Sequence, residues 1–223
     1  MLLASRTFQI ADSIVPQSFT EPTSNGPRSL GNPTPTTTDT EPPQRDLSTP
    51  ISNDTSENYK TLIKGAKFDL IEDDNILSNF DLSIGKDFKL SSGNVLRNIP
   101  KGTKGVNMVN GKQLNTGVDL AAPIGTPVSS VGDGEVVKVG KGYNGGYGNF
   151  VLVKHLEGDR EVFSRYSHMG EDISLKAGQQ IKKGDIVGKV SVSGNSSGPH
   201  SDRELFFKGE DGKTKFIFQD RKL

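Results

Sequence analysis

The 223-residue chain contains no cysteine, no tryptophan and only three histidines. Without cysteine it can form neither disulfides nor thiolate metal sites. Any imidazole chemistry must use His155, His168 or His200. No stretch approaches the roughly 18 consecutive apolar residues of a membrane span. Lys plus Arg number 27 and Asp plus Glu number 27, with no basic run, so nucleic acid is not an expected partner. The first residues, Met1-Leu2-Leu3-Ala4-Ser5-Arg6, turn polar at once. They lack the basic start and apolar run of a secretory signal, and no signal peptide is expected.

What is present is distributed unevenly. Residues 1–60 hold 8 of the 12 prolines and 2 of the 26 glycines, among many Thr, Ser and Asn. The run Pro33-Thr34-Pro35-Thr36-Thr37-Thr38 is too polar to offset its ordering entropy by burial. This segment reads as an extended or disordered arm. Leu2, Leu3, Phe8, Ile10, Ile14, Val15 and Phe19 are the residues that would dock it on a partner surface.

Residues 61–223 read as one all-β domain. Within 61–114, short strands are expected at Phe68–Ile71, Phe80–Ile84 and Phe88–Leu90, separated by Asn, Gly and Asp. No helical period is sustained there. The clearest strands lie in 115–223. Gly134–Gly140 and Val162–His168 alternate, and Asn149–His155 is an apolar run suited to a central strand. Ile181–Val192 reads as strand, turn, strand, and Glu204–Phe218 as a final hairpin. Many short strands with Gly turns indicate a β-sandwich or small barrel.

One motif stands out: Gly194-Asn195-Ser196-Ser197-Gly198-Pro199-His200-Ser201-Asp202-Arg203. In a strand His200 and Asp202 share a face, with Ser201 and Arg203 pointing away. The Gly/Ser turn lets the backbone approach that face closely. A converging imidazole and carboxylate suit a metal or acid–base site. The alternative is a surface strand carrying two solvated polar residues.

Further stretches give this motif a context. They are Asn115-Thr116-Gly117-Val118-Asp119 running into Leu120–Val128, Gly132–Val137, Gly146-Tyr147-Gly148-Asn149, Tyr166-Ser167-His168-Met169 and Lys176–Gly188. In that order they resemble the lysostaphin-like metallopeptidases, the LytM or M23 family, over roughly residues 90–210. The resemblance implies an antiparallel β-sandwich that cleaves peptide cross-links of bacterial cell walls. It implies a zinc held by the His and Asp of H-x-x-x-D and by the second His of H-x-H. The first His of H-x-H and the His of Y-x-H assist catalysis. On this chain Asp119 takes the Asp position, His168 the Y-x-H position and His200 the first position of H-x-H. Asn115 and Asp202 stand where the other two ligands, both histidines, would be.

A set of Asn115, Asp119 and Asp202 offers only oxygens. Such donors suit Mg²⁺, Ca²⁺ or Mn²⁺ better than zinc, and those ions acidify water less. No cofactor is therefore expected, with zinc or another divalent ion only if the domain is active. Three functions follow as expectations. The first is a degenerate M23 module of a phage tail or baseplate, docked by its arm on other virion proteins and binding peptidoglycan peptides. It would sit on the virion or facing the cell wall. The second is an active endopeptidase with an oxygen-rich metal site. The third is a biotinyl/lipoyl-like adaptor, which residues 178–187 also resemble, although no modifiable Lys tripeptide is present.

Overall fold

The computed structural model describes residues 66, 68–83, 88–92, 96–98, 108–109, 112–217 and 219. The Pro/Thr-rich arm and its seven apolar anchors lie outside these residues.

The strands are β1 (Phe68–Ile71), β2 (Lys89–Ser92), β3 (Leu96–Asn98), β4 (Met108–Val109), β5 (Lys112–Leu114), β6 (Val118–Ala121) and β7 (Pro127–Ser129). They continue as β8 (Gly134–Gly140), β9 (Asn149–Glu157), β10 (Arg160–Met169), β11 (Gln180–Ile181), β12 (Ile186–Lys189), β13 (His200–Lys208) and β14 (Thr214–Ile217). One short helix, α1 (Asp74–Ser78), follows β1. The main sheet runs β1-β14-β13-β10-β9-β8-β11, with β6 paired to β13 and β2 to β6. Its described pairs are antiparallel except β1 with β14.

The apolar run of β9 shows why this sheet is central. Phe150 and Leu152 point into one core with Phe163, Phe206 and Phe216. Val151 and Val153 point into the other with Val162, Leu205 and Ile217. A strand buried on both faces needs apolar residues at every position, not alternation. The β7–β12 ribbon covers the second face through Val128 and Val187, and α1 adds Ile76 and Leu77.

One expectation changes here. Residues 80–83 form no strand, and a five-residue helix precedes them. Asp73 caps that helix, its carboxylate accepting from the Ile76 N–H at 3.0 Å. A helix this short leaves no period to read. Phe80 and Leu82 are buried as an irregular segment, with Asp81 between them accepting from Ser83. Ile84 lies outside the described residues. Ile181–Val192 runs strand, turn, strand as expected, with Ile181 closing β11 and Ile186–Lys189 forming β12. β11 pairs with β8 and β12 with β7, so its two halves serve different sheets.

His155 is structural. It is 1 % exposed, its Nδ1–H donates to the Asp133 carbonyl at 2.7 Å, and its Nε2 accepts from the Ser164 hydroxyl at 2.8 Å. Burial holds its imidazole below the ordinary histidine range. The unfolded chain then binds the proton more readily than the folded one. Stability is full above the unfolded pKa of about 6.5 and falls as pH drops through it. Urea midpoints measured at pH 7.5 and pH 5.5 are expected to drop toward acid, and His155→Gln is expected to reduce that drop. Equal slopes for the two proteins would contradict the assignment.

Candidate functional site

β13 sits between β6, β10 and β14, so it is no surface strand. Asp119 of β6 lies directly opposite Asp202, and His200 lies opposite Ala121. Cross-strand partners share a face, which brings Asp119, Asp202 and His200 together. Asp202 is only 7 % exposed and the His200 side chain 12 %, which overturns the reading of two solvated polar residues, and Asp119 beside them is 6 % exposed. Arg203 points to the other face as expected. There it is buried, donating to Gln219 at 3.1 Å and to the Leu82 carbonyl at 3.4 Å.

His168 reaches this group by a backbone irregularity. The β9–β10 register slips between Tyr166 and Met169, and His168 adopts φ 60°. A non-glycine residue holds the left-handed region only where its surroundings impose it. Here the Tyr147 carbonyl accepts the His168 N–H at 2.9 Å, and the Ser193 carbonyl accepts its Nδ1–H at 2.8 Å. Gly148 and Gly194, both at positive φ, let the two supporting loops touch. A Cβ on Gly194 would fall 2.3 Å from the Gly148 nitrogen.

His200 is pinned in the same manner, its Nδ1–H donating to the Gly198 carbonyl at 2.8 Å. Each ring is thus oriented through its Nδ1 side by a backbone carbonyl. The two rings lie 4.6 Å apart, and His200 Nε2 is 3.9 Å from Asp119 Oδ1.

Asn115 sets the character of the site. Its side-chain oxygen accepts the Gly117 N–H at 3.2 Å, as in an Asx turn. That turns its NH₂ toward Asp119, where it donates to Oδ1 at 3.2 Å. Toward Asp119 the side chain thus presents hydrogens rather than a lone pair. Among the described residues no three His, Cys, Asp or Glu side chains converge where a metal ion could sit. The donors present do not fit zinc.

A buried charge network lies beneath, and the sequence reading did not single it out. Arg165 of β10 faces Glu204 of β13 and pairs with its carboxylate. Thr116 donates to the same carboxylate. The Arg165 guanidinium stacks 3.5 Å from the centre of the Tyr147 ring. Burial alone would push the guanidinium pKa down, but the carboxylate beside it holds it above the ordinary arginine value. The network ties together the segments carrying Asn115, Asp202 and His168. Its trace in the sequence is an Arg beside Tyr166 and a Glu beside Leu205 and Phe206. Gly117 completes the packing, because a Cβ there would meet Asp202 Oδ1 at 2.3 Å.

Among the described residues no helix is long and apolar enough to cross a membrane. Residues 113–212 match peptidase family M23. The segment that also resembles biotinyl/lipoyl carriers, 178–187, falls inside that match. The chain is 36% identical over 98 residues to the DD-carboxypeptidase/endopeptidase Mpg of Neisseria meningitidis, covering 44% of this chain and 21% of that protein. It is 38% identical over 96 residues to the peptidoglycan DD-endopeptidase ShyA of Vibrio cholerae, covering 43% and 21%. It thus spans about a fifth of the length of these curated relatives. A solved structure, a mutant catalytic domain of the prophage-encoded M23 protein EnpA from Enterococcus faecalis, shares 32% identity over 59% of this chain and 90% of that one, with a TM-score of 0.45. Members of the M23 family are zinc metallopeptidases. The segment from residue 113 to residue 212, which holds Asn115, Asp119, His168, His200 and Asp202, is a domain of peptidase family M23.

Proposed function

We propose that this domain recognises cell-wall peptides in the cleft of an M23 peptidase fold without hydrolysing them. One observation carries this reading: Asn115 gives a hydrogen bond to Asp119 where an active site would need a ligand lone pair. His168 and His200 are each held at Nδ1 by a backbone carbonyl, with their rings 4.6 Å apart, which suits contacts to a bound peptide. The reading extends to a structural component of a phage tail or baseplate, whose arm docks on other virion proteins. What supports that extension is the composition of residues 1–60, Pro/Thr-rich with seven apolar anchors.

The test is to incubate the protein with purified peptidoglycan sacculi, then follow both pelleting and release of soluble muropeptides. Pelleting is expected, weakened by His168→Ala/His200→Ala, with no release under added Zn²⁺, Mn²⁺ or Ca²⁺. Release with any of these ions would overturn the reading in favour of an endopeptidase with an oxygen-rich metal site. The retained histidine pair, 4.6 Å apart, favours that second reading. Failure to pellet would overturn the recognition role.

A further inference from the structure

Two loops, residues 142–148 and 193–198, form one wall of the cleft. The Tyr147 carbonyl accepts the His168 N–H, and the Ser193 carbonyl holds His168 Nδ1 at 2.8 Å. Ser196 reaches the second ring, its hydroxyl 3.2 Å from His200 Nδ1. The loops also hold each other, the Gly146 carbonyl accepting the Asn195 N–H at 2.7 Å. A ligand that reaches the histidines therefore has this wall beside it.

The wall differs in composition from the rest of the chain. All thirteen of its residues are Gly, Tyr, Asn or Ser, in a chain that is 24% charged. Recognition loops built from these four types combine a rigid aromatic contact with adaptable hydrogen bonding. Tyr143 supplies the aromatic contact. It is 60 % exposed, and among the described residues no other Phe or Tyr is exposed. Ile124, Leu156, Ile186 and Val192 are exposed too, but single aliphatic side chains on a surface need no function. Tyr143 is set apart by the backbone that carries it. Its carbonyl accepts the N–H groups of Gly146 at 2.9 Å and Gly148 at 3.0 Å, and the Asn149 side chain accepts the Gly142 N–H at 2.8 Å. A Cβ built on Gly146 would lie 4.0 Å from the Tyr143 hydroxyl and 3.5 Å from the Asn195 Cβ, so the ring and the amide residue stand side by side. Asn195 and Ser197 are exposed. An exposed ring on a fixed backbone loses little freedom on binding.

The missing charge selects the ligand. Ionic side chains gain no partner on this wall, whereas a neutral ligand rich in hydroxyl and amide groups does. A pyranose ring presents a flat face of C–H groups that stacks on an aromatic ring, and an acetamido group exchanges hydrogen bonds with amide and hydroxyl side chains. We propose that Tyr143, with Asn195 and Ser197, binds an N-acetylated sugar of the glycan strand while the cleft holds the peptide attached to it. The inference rests on the cell-wall reading above for its setting, and it adds a separate contact beside the cleft.

The probe is N-acetylated chitotetraose, a sugar without peptide, titrated into the full chain by calorimetry and followed by saturation-transfer NMR. It is expected to bind, and cellotetraose, which lacks acetamido groups, to bind more weakly. Tyr143→Ala is expected to weaken binding about tenfold or more, Tyr143→Phe, which keeps the ring, by about twofold or less, and Leu156→Ala, exposed at the other end of β9, not at all. All three variants are expected to melt with the parent protein. Absence of chitotetraose binding, equal binding of cellotetraose, or equal loss in Tyr143→Ala and Leu156→Ala would overturn the sugar contact. A sugar-free stem peptide separates this contact from the cleft: its binding is expected to fall in His168→Ala/His200→Ala and to be unchanged in Tyr143→Ala. Peptide binding without sugar binding would overturn the sugar contact alone. Sugar binding that depends on Tyr143, without peptide binding, would support the contact and overturn the peptide reading of the cleft.

Discussion

Asn115→His/Asp202→His is expected to take up about one zinc ion per chain, where the parent protein takes up essentially none. The two imidazoles would join Asp119 to give the three protein ligands that a zinc site with an open position needs. Asp119 is already positioned by its pairing opposite Asp202, so the substitutions supply donors to an existing cleft. Binding only to the folded state stabilises it, by about 2.7 kcal/mol at a zinc concentration 100 times Kd. For a domain of this size that corresponds to a rise in melting temperature of roughly 5–10 °C. Each single substitution supplies one imidazole and is expected to bind more weakly. A double variant that folds yet neither binds zinc nor gains thermal stability with it would show that the cleft is not a converted metal cradle.

Arg165→Ala is expected to destabilise the fold by about 3–5 kcal/mol, because it strands the Glu204 carboxylate in the interior. Glu204 is 1 % exposed and Arg165 2 %. Leu205 and Phe206 follow Glu204 directly in the chain, so water cannot enter cheaply to replace the guanidinium. Arg165→Met/Glu204→Leu, which removes both charges and keeps volume, is expected to recover much of the loss. Urea unfolding of the four proteins closes the cycle. A cost below about 1 kcal/mol for Arg165→Ala would mean that the pair is solvated in solution.

The sequence made the fold legible wherever pattern and burial agree. Phe150–Val153 is uniformly apolar, and the strand that holds it is buried there on both faces. It failed at Phe80–Leu82, where two buried apolar residues flanking Asp81 imitate strand alternation. The backbone there is held instead by the Asp81–Ser83 turn and the cap on α1. The site was legible as residue positions: Asp119, His168, His200 and Asp202 gather at one end of the sheet. The direction in which Asn115 turns its amide could not be read, because it depends on the Gly117 N–H. The Arg165–Glu204 pair was hidden because its register, set across β10 and β13, emerges only when the strands pair.

The central claim is that the cleft keeps its shape and its histidines while its donors do not suit zinc. The most direct test is metal content of the purified full chain, measured by mass spectrometry after equilibration with excess Zn²⁺ and dialysis, beside Asn115→His/Asp202→His. The parent protein is expected to hold well under a tenth of an equivalent of zinc, and the double variant about one. A stoichiometric zinc in the parent, lost on Asp119→Ala, would contradict the claim and restore the domain to the metal-dependent peptidases.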